Sequence, residues 1–151
     1  TLMNKVFEVI EARNIFNIDY NKISILTHPK SYIHAIIRFK NGLTKILAHE
    51  PDMKIPIYNS LYLSDKKNLK TNLLDLKTLN NLNPQKVNLK KFPLVKLLNR
   101  LPNYPSLFET VLITVNDYLV FKFLNKQIDY KKLIMLINKI TNLKEFVKYI
   151  R

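Results

Sequence analysis

Cysteine is absent from this chain of 151 residues, and glycine occurs once, at Gly42. Without cysteine the chain can form no disulfide bond, thiolate metal site or cysteine nucleophile, which fits a reducing compartment. A single glycine cannot build the glycine-rich loop that binds a dinucleotide. No apolar run approaches the ~20 residues that a membrane helix needs, and no apolar stretch follows basic residues at the N-terminus, as a secretory signal requires. The sequence therefore predicts a soluble folded protein.

Acidic residues are scarce, with 11 Asp and Glu against 25 Lys and Arg, so the net charge is +14. A basic surface would bind nucleic acid or an acidic partner, because Lys and Arg neutralise phosphates whatever the base sequence. Codon drift in an AT-rich genome gives the same Lys-, Asn- and Ile-rich composition. The lysines are spread along the whole chain, which favours drift and argues against nucleic acid. Because the first residue is Thr1 and not Met, we interpret the chain as part of a longer protein.

Hydrophobic periodicity predicts an α+β chain, with strands in its front part and only helices behind. Asn41-Gly42 lies between two predicted strands, and both residue types adopt positive φ readily, so the pair predicts a β-hairpin. The aromatic residues between Tyr104 and Phe123 are expected to be buried in a small helical bundle, not to stack on nucleic-acid bases. Helices are expected at 2–16, 51–61, 92–101, 106–123, 128–140 and 142–150, and strands at 23–27, 32–39 and 43–48.

The polar side of the first predicted helix carries Asn4, Glu8 and Glu11 at spacings of four and three, which places them on one face. Lys5 lies beside Asn4 and three residues before Glu8. A carboxylate is a ligand for hard cations, whereas an amide and an ammonium can hold a phosphate. The face would therefore present a metal ligand next to a phosphate grip. The alternative is an ordinary solvated helix face, and the spacing by itself leaves both open.

Four segments, in order, resemble the 1-deoxy-D-xylulose 5-phosphate reductoisomerase family. Asn4–Ala12 resembles its Asn-Lys-Gly-Leu-Glu-x-Ile-Glu-Ala stretch, and His28–His34 resembles its His-Pro-Gln-Ser-x-Ile-His segment. The hairpin Phe39–Gly42 and the segment Glu50–Ile57 continue the match. Weaker similarities follow at Leu74–Leu76, Asn116-Asp117 and Asn125–Ile128.

The resemblance implies an NADPH-dependent oxidoreductase and isomerase that needs Mg²⁺ or Mn²⁺. Its substrate is a sugar phosphate, which it rearranges and reduces to 2-C-methyl-D-erythritol 4-phosphate in non-mevalonate isoprenoid synthesis. By resemblance, Glu8 is a metal ligand, Asn4 and Lys5 bind substrate, and Lys5 and Glu8 are catalytic. Glu11 is then an acidic neighbour behind the metal ligand, and His34 lies near the substrate pocket. The family further implies a homodimer away from membranes, in the cytoplasm or, in a eukaryote, a plastid-type organelle.

The resemblance also implies a division of the chain. Residues 1–63 correspond to the C-terminal portion of a catalytic α/β-sheet domain whose hairpin extends a sheet across a homodimer. Residues 64–86 are expected to form a connector, and residues 87–151 a small C-terminal helical domain. The family's NADPH-binding half and its other metal-binding carboxylates precede the point where this chain begins. We therefore expect the chain to be inactive by itself.

Three departures from the family pattern bear on the site. Val6 replaces a glycine, Ala48-His49 stands where the family usually has Leu-Gly, and Val115–Asp117 is all that is left of an Asn-Ala-Ala-Asn-Glu pattern. Two other functions therefore stay open. The chain would be a small basic module that binds nucleic acid or an acidic partner, or a decayed relative that keeps the fold as a dimerisation body.

His28, His34 and His49 are one more candidate metal cluster. Neither a helical i, i+4 pair nor a cysteine supports them as ligands. We instead expect His28 and His34 to be hydrogen-bonded within the sheet region.

Overall fold

The first helix belongs to the same compact unit as the C-terminal helices. A computed structural model describes residues 2–62 and 69–150 of the chain. Residues 1–25 and 87–151 form one unit, the helical unit, and residues 26–86 form a second, the hairpin unit. The resemblance predicts three consecutive segments, 1–63, 64–86 and 87–151. The two compact units divide the chain differently, because the first helix groups with the C-terminal helices. The first predicted boundary, between residues 63 and 64, lies outside the described residues.

The described elements follow the α+β order that the periodicity predicts. Three 3₁₀ helices, Tyr20–Lys22, Pro93–Arg100 and Lys148–Ile150, accompany the helices and strands. The α-helices are α1 (Met3–Phe16), α2 (Lys54–Leu61), α3 (Leu76–Asn80), α4 (Phe108–Leu124), α5 (Tyr130–Thr141) and α6 (Lys144–Val147), and the strands are β1 (Leu26–Thr27), β2 (Ile33–Arg38), β3 (Thr44–Ala48) and β4 (Gln85–Lys86). The predicted α+β class is confirmed, with a β-hairpin in front and a helical bundle behind.

One continuous hydrophobic core holds the helical unit together. Helix α4 crosses it with Phe108, Leu112, Val115 and Leu119, a spacing that follows one helical face. Burying each such side chain contributes roughly 1.5–3 kcal/mol. Helix α1, the 3₁₀ helix Pro93–Arg100 and α5 supply the rest of the core, namely Met3, Val6, Ile10, Leu94, Leu97, Leu101, Leu133 and Ile137. Helix α4 is thus central to the bundle, as its apolar sequence predicts.

The prediction that the aromatic residues between Tyr104 and Phe123 build this core is wrong except for Phe108. Phe108 is fully buried, but Phe121 is 65% exposed, and Tyr104, Tyr118 and Phe123 are exposed too. Helix α4 is apolar on most of its circumference, so its periodicity does not show which face packs. The packing of α4 against α5 decides that face.

The hairpin unit is built on β2 and β3, which pair antiparallel from Ile33↔Ala48 to Arg38↔Thr44. The Phe39 N–H donates to Leu43 O at 2.8 Å, and the Gly42 N–H donates to Phe39 O at 3.1 Å. Three residues therefore form the loop, which is a turn followed by a bulge. Gly42 has φ +88°, whereas Asn41 does not have positive φ. The predicted hairpin is confirmed, but only one of its two turn residues uses positive φ.

Two stretches, 23–27 and 64–86, differ from the sequence prediction. The strand expected at 23–27 is reduced to β1, which pairs antiparallel with β4. The stretch 64–86, expected to be a plain connector, contains α3 and β4 in its described part. Asp75 caps the N-terminus of helix α3, and its carboxylate accepts the Thr78 N–H at 2.6 Å. A short segment with one capping residue has too little hydrophobic periodicity to be recognised.

No described residue of the hairpin unit is fully buried. On the two paired strands, Ile37, Ile46 and Leu47 are each more than half exposed. A two-stranded sheet with uncovered apolar side chains has little stability of its own. Within residues 2–62 and 69–150, no helix is both long enough and apolar enough to cross a membrane.

Candidate functional site

Both carboxylate oxygens of Glu8 are engaged by side chains from the preceding turn of α1. The Asn4 amide Nδ2 donates to Oε1 at 2.7 Å, and the Lys5 ammonium Nζ donates to Oε2 at 2.6 Å. The Lys5 and Glu8 side chains are each about half exposed, at 48% and 45%. Asn4, Lys5 and Glu8 thus form one polar cluster that solvent and a ligand can reach.

The opposite face of α1 explains why this cluster points outward. Met3, Val6 and Ile10 are buried in the core of the helical unit, which fixes the rotation of the helix. Val6, which replaces a family glycine, is fully buried among these core residues. Glu11 lies three residues after Glu8 on the exposed side. The structure therefore brings Asn4, Lys5 and Glu8 into contact and keeps Glu11 one turn further along.

Glu8 is suited to be one ligand of a hard cation. Mg²⁺ and Mn²⁺ prefer oxygen donors, and Mg²⁺ demands near-octahedral coordination. Among residues 2–62 and 69–150, no three His, Cys, Asp or Glu side chains lie close enough to hold a metal ion. The described part of the chain therefore offers a fitting donor type at Glu8 but not a full ligand set.

His34 lies at a bulge in β2, because the register shifts between Ile33 and Ala35. Such bulges redirect side chains and occur often near active sites. The His34 ring stacks on His49, with centroids 3.7 Å apart and planes 5° from parallel. Its Nε2 lies 3.3 Å from the His49 carbonyl oxygen. The sequence offers His49 only as a member of the candidate metal cluster and not as a neighbour of the substrate pocket, and its position where the family usually has glycine was the available signal.

The three histidines do not form the candidate metal cluster. His28 accepts the Tyr32 N–H at Nδ1, at 3.2 Å, and its ring is tilted against the Tyr32 ring. No group of three metal-binding side chains occurs among the described residues. The expected hydrogen bonding of His28 and His34 within the sheet region is confirmed.

A partly buried polar network in the helical unit was not anticipated from the sequence. Arg13 donates from Nη2 to Asn103 O at 2.5 Å, and the Tyr20 hydroxyl donates to Glu109 Oε1 at 3.4 Å. Ser106 donates to the other oxygen of Glu109. Burial, followed by the charge of Glu109, raises the pKa of Tyr20 to about 12. Partners 83–90 residues apart leave no local pattern, so only the tertiary structure reveals this network.

Comparison with known proteins identifies the family of this chain. Residues 49–150 match the family described as DXP reductoisomerase C-terminal domain. A 1-deoxy-D-xylulose 5-phosphate reductoisomerase of Pelagibacter ubique (strain HTCC1062) is 51% identical over 149 residues, covering 99% of this chain and 38% of the relative.

Two solved structures share the fold at 26% sequence identity. The Zymomonas mobilis reductoisomerase in complex with NADPH matches with a TM-score of 0.81, over 99% of this chain and 42% of that one. A DOX-P reductoisomerase structure with fosmidomycin and magnesium matches with a TM-score of 0.84, over 97% and 37%. The chain spans less than half the length of these relatives. It belongs to the 1-deoxy-D-xylulose 5-phosphate reductoisomerase family.

Proposed function

We propose that this chain supplies the phosphate-binding and metal-binding edge of a 1-deoxy-D-xylulose 5-phosphate reductoisomerase active site. The observation that carries the proposal is the contact of Glu8 with Asn4 and Lys5 on the exposed face of α1. These residues stand in the family's Asn-Lys-x-x-Glu order. The family membership favours this function over a basic module that binds nucleic acid.

Lys5 and Asn4 are proposed to bind the substrate. The Lys5 ammonium donates up to three hydrogen bonds and carries the charge that a phosphate needs. The Asn4 amide adds a directional donor one residue away. Because both side chains start from the same helical turn, they can hold one phosphate or hydroxyl group together. Lys5 is proposed to be catalytic, because it holds the reacting sugar in place.

Glu8 is proposed to be one ligand of a Mg²⁺ or Mn²⁺ ion. When bound, such an ion supplies Lewis-acid polarisation of the substrate's keto and hydroxyl oxygens. Glu11 adds negative charge one turn behind Glu8, which favours a cation at this end of the face. His34 is proposed to lie at the substrate pocket, where its imidazole can donate or accept a hydrogen bond.

The whole reaction is proposed to be the NADPH-dependent rearrangement and reduction of the sugar phosphate to 2-C-methyl-D-erythritol 4-phosphate. The matched relatives include structures with NADPH and with magnesium. With one glycine, this chain lacks a dinucleotide-binding loop, so we propose that a further domain binds NADPH. The uncovered apolar side chains of the hairpin support a larger sheet and a homodimer. We place the assembly in the cytoplasm.

The experiment joins this chain to the N-terminal portion of the Pelagibacter ubique relative and measures NADPH oxidation. Oxidation is expected to require both the sugar phosphate and Mg²⁺ or Mn²⁺. Glu8→Gln and Lys5→Met should each lower turnover by at least about 100-fold, because a charged contact to a reacting group is lost. The unmodified relative is the positive control, and the chain alone should be inactive.

Matched substitutions separate a site effect from a general charge effect. Glu145→Gln and Lys131→Met remove the same charges from exposed helical positions elsewhere in the helical unit. They should leave turnover unchanged. Full turnover in the Glu8→Gln chimera would refute the metal site. Retention of duplex DNA by the chain at low salt, with a steep decrease as salt rises, would instead support the basic binding module.

A further inference from the structure

We propose that His49 is a positioning residue that fixes the imidazole of His34. The inference rests on the proposed function in one respect, which is the placement of His34 at the substrate pocket. It adds a residue at a position where the family usually has glycine.

The two imidazoles form a parallel stack. Their centroids are 3.7 Å apart and their planes differ by 5°. The His34 Nε2 also lies 3.3 Å from the backbone carbonyl oxygen of His49. His49 thus contacts His34 twice, once through its side chain and once through its main chain. Only the first of these contacts depends on the identity of residue 49.

His49 is itself held firmly enough to act as a support. Its N–H donates to Tyr32 O at 3.0 Å, and its Nδ1 lies 2.5 Å from Glu50 O. It is half-buried, whereas His34 is exposed. The ring of His49 restrains the plane of the His34 ring through the stack.

The carbonyl contact adds a second restraint to the stack. A carbonyl oxygen can only accept, so a hydrogen bond at this contact is donated by the His34 Nε2 N–H to His49 O. Stacking keeps the plane of the ring fixed while this contact sets its rotation. A substrate hydroxyl would therefore meet a ring of defined orientation.

The test compares His49→Gly, which removes the stack but keeps the carbonyl, with His49→Phe, which keeps a flat ring. His49→Leu is a second variant of similar bulk without a flat ring. Side-chain couplings and ring nitrogen shifts of His34 are measured by NMR in the chain. Aromatic stacking of ordinary strength predicts an about 2- to 12-fold change in the ratio of His34 rotamers in the Gly and Leu variants. The Phe variant should behave as the wild type does.

Unchanged His34 couplings in both the Gly and the Leu variants would overturn the proposal. A change in all three variants, Phe included, would also overturn it, because stacking would not be the cause. The role of His34 is tested separately in the chimera with His34→Gln. If that variant keeps full turnover while the NMR effect is present, the pocket assignment fails and the positioning of His34 by His49 stands. In an active chimera, His49→Gly should lower kcat/KM and His49→Phe should restore it.

Discussion

The Lys5 ammonium lies 2.6 Å from Oε2 of Glu8. The residue proposed to bind phosphate therefore forms an ion pair with the residue proposed to bind the metal ion. The pair is half exposed, and pairs of this kind contribute only ~0.2–1 kcal/mol. A ligand that binds Lys5 or Glu8 more strongly therefore displaces this ion pair easily. Phosphate would draw Lys5 away, and a divalent cation would replace Lys5 at Glu8.

Removing Lys5 should strengthen cation binding at Glu8. With Lys5→Met we expect Mn²⁺ affinity to rise about 1.5- to 5-fold at low salt, since the competing ion pair is lost. Broadening of α1 amide signals by Mn²⁺ measures this affinity in the chain. Lys131→Met controls for net charge, and Glu8→Gln should abolish the localised broadening. Equal broadening in wild type and Lys5→Met would contradict the prediction.

Two leucines of α4 provide a matched test of the core. Leu119 is 2% exposed and Leu124 is 69% exposed. Leu119→Ala should lower the free energy of unfolding by about 2–5 kcal/mol, because it leaves a cavity in the bundle. Leu124→Ala should change it by less than about 0.5 kcal/mol. Urea unfolding followed by circular dichroism measures both values, and similar losses would show that α4 packs by another face.

Arg13 should stabilise the helical unit through its guanidinium. It is 7% exposed and donates to Asn103 O at 2.5 Å. Arg13→Met keeps the apolar stem but leaves the carbonyl without its charged donor, which should cost about 1.5–3 kcal/mol of unfolding free energy. Arg38→Met, at an exposed strand position, is the control. A loss no larger than that of Arg38→Met would argue against the network.

Tyr20 should make the fold sensitive to alkali. Burial raises its pKa from 10.0 to about 12, with Glu109 as the second cause. The folded state holds this proton more tightly, so the stability it contributes is complete below pH 10 and lost as pH rises through about 12. The difference in unfolding free energy between wild type and Tyr20→Phe should therefore become smaller between pH 9 and 12. Tyr118→Phe removes a hydroxyl at an exposed position and is the control. If the difference in unfolding free energy between wild type and Tyr20→Phe does not change with pH, the raised pKa of Tyr20 is refuted.

Asp75 should make α3 sensitive to acid. The Asp75 carboxylate accepts a hydrogen bond from the Thr78 N–H, which lowers the Asp75 pKa below 3.8. The positive charge of Lys30 lowers this pKa slightly further. The contribution to helix stability is present above pH 3.8 and is lost as pH falls through the lower folded value. In an NMR titration, the Asp75 carboxyl and the Thr78 amide should share one midpoint below pH 3.8. Asp75→Asn should abolish the amide titration.

Much of the fold could be predicted where local pattern and packing agree. Helix α1 was predicted because its apolar positions recur at helical spacing. The same spacing placed Asn4, Glu8 and Glu11 together on one face, with Lys5 beside Asn4. Gly42 marked the hairpin, since a turn with positive φ favours glycine. Helix α3 was missed, because five residues with one capping aspartate carry too little periodicity.

The sequence by itself determined α1, the hairpin, α4 and α5, the polar face of α1 and the resemblance to the family, because these depend on residues close together in the chain. Tertiary structure decided which face of α4 is buried, that Arg13 meets Asn103, and that His34 stacks on His49. Each of these depends on partners that are distant in sequence or shifted by a bulge. The periodicity of the sequence gives the direction in which a side chain leaves its helix or strand. Only the packing of these elements determines which residues that side chain contacts.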